Sequence, residues 1–195
     1  TAALLEGLGH RVEAAWPTAL EDATFGSRFG AIWSTMMGLS QRRFEDQLGR
    51  PLTDREFEPM NRAQADFAKL FSGLDYAVGL AAVAQYRRAM HSWWADGWDL
   101  LLTPTLAELP LALGTIKNDP DEPMSALVRS GQFVPFTPPF NTSGQPAINV
   151  PLQWTPAGLP VGIQLVAAYG REDVLIRVAS QLEAVQPWAQ RTPPV

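Results

Sequence analysis

The chain has 195 residues, 46% of them hydrophobic, a formal net charge of -5 and no cysteine. That length allows one domain, or a large part of one, that buries about 70% of its unfolded surface. The acidic balance gives no electrostatic footprint for a phosphate backbone, which argues against a nucleic-acid partner, and without Cys there is neither a disulfide framework nor a thiolate metal site.

The longest near-apolar run, Tyr76 to Ala84, is too short to span a bilayer, and no signal-peptide pattern opens the chain, so a cytoplasmic protein with no membrane contact is the expectation. Lys69 and Lys117 are the two lysines among 15 basic residues, an Arg bias that fits a GC-rich bacterial genome. Thr1 is followed at once by helical pattern in Ala2 to Leu8, as if the chain began inside a longer one.

Taken in order, that opening helix is expected to stop at Gly9, and Val12 to Trp16 reads as a strand closed by Pro17. His10, beside a helix C-terminus, is expected to be a surface residue rather than a general base. Residues 18–97 read as largely helical. Thr18 to Glu21 and Thr53 to Glu56 have the capping-box form, so each is expected to start a helix.

In the first of these helices Phe25, Phe29, Ile32, Trp33 and Met36 recur at three and four residues, with a break expected near Gly38. The second should run from Asp54 to Phe71 with Phe57, Met60, Phe67 and Phe71 inward. A third, capped by Asp75, should face its core with Tyr76, Leu80, Val83, Met90 and Trp94 and close at Gly97. Trp33 and Met36 suit either an ordinary core or an apolar substrate pocket.

Leu100 to Thr103 is short and apolar and is ended by Pro104, as a central strand would be. A polar loop follows from Gly114, then a short helix from Met124 to about Ser130. Phe140 to Pro146 reads as a turn-forming loop. It leads into two β-branched runs, Ala147 to Leu152 and Val161 to Val166, around the turn material Thr155 to Gly158. A last helix opens at Glu172 or Asp173 with Leu175, Val178, Leu182 and Val185 inward. The two histidines, His10 and His91, lie far apart and offer no close metal-ligand pair, so neither a metal nor another cofactor is expected.

The run F-T-x-P-F-N-x-x-G-x-P-A-x-x-V-P over Phe136 to Pro151, then G-L-P-V-G-x-Q-L-V over Gly158 to Val166, resembles the C-terminal part of the amidase signature family. The segment Asp99 to Thr105 with Pro110 and Gly114 is similar to a second stretch of the same family. The resemblance implies an α/β/α sandwich with a mixed central sheet flanked by helices, here holding Val12 to Ala15, Leu100 to Thr103 and the two hairpin strands.

It also implies hydrolysis of carboxylic amide bonds by a Ser, cis-Ser, Lys triad, with small-molecule amides as substrates. By resemblance Phe140, Asn141, Thr142, Gly144 and Gln145 come near the cleft, and Trp33 and Met36 are added as candidate pocket residues. Asn141 either contacts the substrate amide or, as the N-T-S-G context favours, holds the backbone of its own loop.

The triad itself is not recognisable. Lys69 points away from an apolar stripe, Lys117 lies in a polar loop, and Ser143 lacks a nucleophile elbow. The expectation is therefore one wall of a cleft, the C-terminal portion of a single amidase domain whose catalytic portion lies upstream. An unpaired strand edge or an uncovered apolar face would favour self-association or pairing with that portion. Two other readings stay open: a non-catalytic subunit on the same scaffold, and an N-terminal nucleophile at Thr1, which the helical pattern of Ala2 to Leu8 disfavours.

Overall fold

A computed structural model describes residues 1–194. In chain order the elements are α1 (Ala2–Gly7), α2 (Phe25–Leu48), α3 (Pro59–Ala68), α4 (Gly73–Ser92), β1 (Leu100–Pro104), α5 (Ser125–Phe133), α6 (Pro138–Ser143), β2 (Ala147–Trp154), β3 (Pro160–Ala167) and α7 (Glu172–Val185), with 3-10 turns at Thr18–Glu21 and Trp93–Asp96. They form two compact units. One takes residues 1–20, 87–111 and 133 onward and holds the sheet; the other, residues 21–86 and 112–132, is helical.

The sheet unit is built on the hairpin. β2 and β3 pair antiparallel, Ile148 opposite Leu165 and Val150 opposite Ile163, with a register shift between Val150 and Gln153. Pro151, which has no N–H to give the ladder, sits inside that shift. The Thr155 N–H donates to the Leu159 carbonyl (2.8 Å) and the Leu159 N–H to the Thr155 hydroxyl (3.0 Å), so the turn is pinned at both sides. β1 pairs on the other side of β3, giving the order β1-β3-β2.

The α/β class is as expected; among the described residues the sheet has three antiparallel strands, three of the four stretches expected to lie in a larger mixed sheet. The missing one is Val12 to Ala15. These residues take no regular secondary structure, no backbone hydrogen bond ties them to a neighbour among the described residues, and without a ladder there is no strand.

One sheet face carries Leu100, Leu102, Ile148, Val150, Ile163 and Leu165 against Leu175, Val178, Ala179 and Leu182 of α7 and Leu5 of α1. Leu165 and Leu182 are wholly buried, which stabilises by about 1.5–3 kcal/mol for each such side chain. Val185, expected inward, is 50% exposed because α7 ends there.

The helical unit departs further from the sequence pattern. Thr18 to Glu21 makes only a 3-10 turn, and α2 begins at Phe25. α2 then passes Gly38 without a break. An added Cβ there would stand 3.2 Å from the Ala68 Cβ of α3, so this glycine makes room for a neighbouring helix instead of ending its own.

Thr53 and Glu56 do bond, through the Thr53 N–H (3.0 Å) and hydroxyl (2.8 Å), but Arg50 takes both Glu56 oxygens and the box closes a turn. α3 starts later, with Pro59 at its first turn. A reciprocal box forms instead at Ser72 and Asp75, where the Ser72 N–H reaches the carboxylate (2.7 Å) and the Asp75 N–H the hydroxyl (3.1 Å), and it opens α4.

The buried line of α4 is Gly79, Ala82, Tyr86 and Met90, leaving Leu80 47% exposed. Tyr86 stacks on Phe25 with centroids 3.9 Å apart, and burial pushes its phenol up to about 12. Phe67, expected inward, is 51% exposed while Gln64 and Ala65 take the buried positions of α3. α5 outruns the predicted end at Ser130 and reaches Phe133.

Candidate functional site

The segment expected as a loop, Phe140 to Pro146, is mostly helix. Pro138 and Pro139 preset the backbone of the first turn of α6, the Thr142 hydroxyl donates back to the Pro138 carbonyl (2.9 Å), and Gly144 ends the helix in the left-handed region at φ +78°. The Arg87 guanidinium and the Tyr169 ring stand 3.6 and 3.9 Å from where a Gly144 Cβ would be.

Beneath this cap the polar groups are committed to one another. Ser143, wholly buried, donates its hydroxyl hydrogen to the Gln145 side-chain carbonyl at 2.6 Å. The His91 Nε2 lies 3.0 Å from the Ser143 carbonyl, which can only accept, so that nitrogen carries the proton. The His91 ring in turn lies against Tyr169, with centroids 5.8 Å apart. Ser143 and His91 are thus neighbours, but the imidazole serves the backbone and the hydroxyl serves an amide, and no base reaches the Ser143 oxygen. The Gln145 Nε2 is buried without a hydrogen-bond partner among the described residues.

Asn141 corrects the favoured expectation. Its side chain is exposed and makes no hydrogen bond among the described residues, so the cap is held by Thr142, Ser143 and Gln145 instead. Of the candidate residues, Phe140 (3% exposed) is the apolar anchor of α6, Asn141 and Gly144 are presented outward, and Thr142 is half-buried. Trp33 and Met36 lie on α2 in the helical unit and are 49% and 45% exposed. The Trp33 indole N–H donates to buried Gln64 at 3.1 Å. Lys69 pairs with Asp66 at the surface (2.6 Å), as its position in the sequence implied.

A polar row crosses the sheet face opposite α7. Thr103, Gln164 and Asn149 stand side by side in the register of β1, β3 and β2. Gln164, 4% exposed, donates through Nε2 to the Thr103 hydroxyl and to the Phe136 carbonyl, both at 2.9 Å, and so ties the entry to α6 to the sheet. Thr105 and Asn149 hydrogen-bond over Gly162, where an added Cβ would meet both side chains. Arg87, Tyr169 and this row were not singled out from the sequence, and His91 was weighed only as a metal ligand. A glutamine inside the apolar run Val161 to Val166 was the available signal, since a buried amide needs partners.

Among the described residues, no group of three or more His, Cys, Asp or Glu side chains is placed to hold a metal ion. No single helix among them is long and apolar enough to cross a membrane.

The Amidase family profile matches residues 1–176. Over 98% of its length the chain is 39% identical to a 6-aminohexanoate-cyclic-dimer hydrolase of Paenarthrobacter ureafaciens and 38% identical to another from Pseudomonas sp. (strain NK87), and it spans 40% of the length of each. The solved structure of a 6-aminohexanoate cyclic dimer hydrolase in complex with substrate superposes with a TM-score of 0.91 at 36% identity, covering 98% of this chain and 41% of that one. With the hairpin and β1 falling where the sequence placed strands, and the family profile matching residues 1–176, this chain belongs to the amidase signature family.

Proposed function

We propose that residues 1–194 form part of an amide hydrolase whose complete form cleaves linear or cyclic amides of ω-amino acids, the class to which 6-aminohexanoate oligomers belong. The observation that carries this reading is the 39% identity to a cyclic-dimer hydrolase, held over 98% of the chain. In this reading α6 supplies one wall of the substrate cleft. Phe140 and Gln145 fix that wall from beneath, Gly144 and Thr142 shape its surface, and Asn141 offers an amide able to donate to a substrate carbonyl or accept from its N–H. Trp33 and Met36, in the helical unit, are proposed as apolar pocket residues in their own right.

The chemistry is assigned to a Ser, cis-Ser, Lys triad outside this region, in a cytoplasmic enzyme that uses no metal. Lys69 is exposed and ion-paired, and Ser143 is buried and engaged with Gln145, so neither is offered as base or nucleophile. A wall alone makes no interaction that strengthens in the transition state. The 195-residue chain is therefore expected not to turn over 6-aminohexanoate cyclic dimer or aryl acylamides. Combined with the upstream part of a cyclic-dimer hydrolase, it is expected to do so.

Ninhydrin-detected release of amino groups from the cyclic dimer measures this. Turnover by the chain alone, titratable with a serine-reactive phosphonate, would overturn the placement of the triad. A folded assembly with no turnover of any amide in the panel would favour the non-catalytic subunit instead.

A further inference from the structure

Arg87, in the second half of α4, is exposed and makes no hydrogen bond or ion pair among the described residues. Other arginines of this chain face carboxylates: Arg50 bonds Glu56, and Arg171 and Arg177 share Asp173. A guanidinium with all its N–H donors open can hold a carboxylate by two parallel bonds.

The place of Arg87 is set by α6. Its Nη2 stands 3.6 Å from the Cβ position of Gly144, at the C-terminal end of that helix, where unbonded carbonyls favour a cation. The Tyr169 ring comes within 3.9 Å of the same position. This ring is 66% exposed and rests against His91, and its hydroxyl has no hydrogen-bond partner among the described residues. Because the His91 Nε2 is committed to the Ser143 carbonyl, the imidazole is a fixed backing for the phenol. Arg87, His91, Gly144 and Tyr169 all belong to the sheet unit. Asn141 precedes Gly144 by three residues, so the two share a face of α6, about 5–6 Å apart. A ligand with an amide at one end of a methylene chain and a carboxylate at the other matches this arrangement.

We infer that Arg87 and Tyr169 form a carboxylate subsite at the end of the α6 wall, and that Arg87 sets a preference for amides carrying a free carboxylate. The place of the subsite rests on the geometry; the choice of ligand rests on the amidase reading above. Hydrolysis adds water across the C–N bond and leaves an acid, whose proton passes to the released amine, so the products are a carboxylate and an ammonium. A linear ω-amino-acid amide carries a carboxylate before cleavage as well, whereas a cyclic dimer carries none.

The test is a titration of the 15N-labelled chain, at constant ionic strength, with 6-acetamidohexanoate and with its uncharged primary amide. If the chain does not fold alone, it is co-produced with the part of the Paenarthrobacter ureafaciens hydrolase outside the matched region. The amide signals of Gly144 and Tyr169 are expected to shift and saturate with the acid, which should bind about tenfold tighter than the uncharged analogue. Arg87→Gln should weaken the acid about tenfold at an unchanged urea midpoint, Arg87→Lys should restore part of the loss, and Tyr169→Phe should cost less than Arg87→Gln.

Three results would overturn the inference: no shift at Gly144 or Tyr169; equal binding of the acid and its uncharged analogue; or acid binding that survives Arg87→Gln, the mark of another cation. In an active assembly, Arg87→Gln should raise the KM of the linear 6-aminohexanoate dimer about tenfold at unchanged kcat and leave the KM of the cyclic dimer alone. Weaker inhibition by 6-aminohexanoate in the same variant would make the acid product a second occupant, and unchanged inhibition would confine the subsite to the substrate. Acid binding without turnover leaves the subsite standing and removes the amidase reading. Turnover of both dimers that is indifferent to Arg87 does the reverse.

Discussion

Asn141 and Gly162 illustrate how differently two residues of one unit are used. The Asn141 side chain is exposed and unbonded among the described residues, so Asn141→Ala should change unfolding free energy by no more than about 0.5 kcal/mol. In the complete hydrolase, loss of one neutral hydrogen bond to the substrate should cost about 1 kcal/mol, or roughly fivefold in KM at unchanged kcat. A large stability loss at constant KM would return Asn141 to a structural role.

Gly162 is the opposite case, because an added Cβ would meet Thr105 and Asn149 where they bond each other. Gly162→Ala should destabilise by about 1–3 kcal/mol in urea unfolding. The same change made together with Asn149→Ala should cost measurably less, because one of the colliding side chains is then absent.

Among elements, the turn between α2 and α3 gives a pH prediction. The Arg50 guanidinium bonds both Glu56 oxygens, and the Thr53 N–H and hydroxyl add to it, so the Glu56 carboxyl is held well below the usual carboxylate range. A folded pKa below the unfolded one means that the contribution is complete above the unfolded value, about 4.3, and is lost as pH falls toward the folded value. Glu56→Gln should therefore flatten the acid side of a stability-against-pH curve from about pH 5 downward and leave its neutral side parallel to wild type. High salt should shrink the difference, since the pair is at the surface.

The hairpin, α7 and the stop after α1 were legible in the sequence because each rests on local signals: β-branched runs, period-3.6 leucines, a left-handed glycine after a helix; Gly97, read as the end of α4, closes the 3-10 turn that follows it. The misread elements depended on something distant. Gly38 answers to Ala68 across a helix pair, the Thr53 box is captured by Arg50, and Val12 to Ala15 cannot be a strand until another backbone lies beside it. Likewise the motif over Phe140 to Gly144 was legible, but not that two prolines would make it helical, nor that His91, some fifty residues earlier, would hold its last carbonyl.

At the scale of the molecule, the exposed apolar side chains carry the expectation of association. Leu70 and Leu74 are each 73% exposed, Val78 56% and Phe44 55%, all in the helical unit. Apolar surface of this kind, together with an open sheet edge, favours contacts between chains. Light scattering should show mass rising with concentration in the micromolar range, with binding of an apolar dye. A stable monomer that leaves the dye dark would contradict this.

The two units also draw their residues from the chain very unequally, and this affects synthesis. The helical unit takes most of its residues, 21–86, in one run and adds 112–132 later, whereas the sheet unit needs α1, β1 and α7 together, from Leu5 to Leu182. On a ribosome adding about 5–20 residues per second, roughly 5–20 s separate the completion of residue 86 from that of α7. For much of that interval α1, and then β1 once it has been made, wait without a partner for their leucines. The apolar face that becomes the core is then bare, and nascent-chain chaperones have their opportunity to bind it.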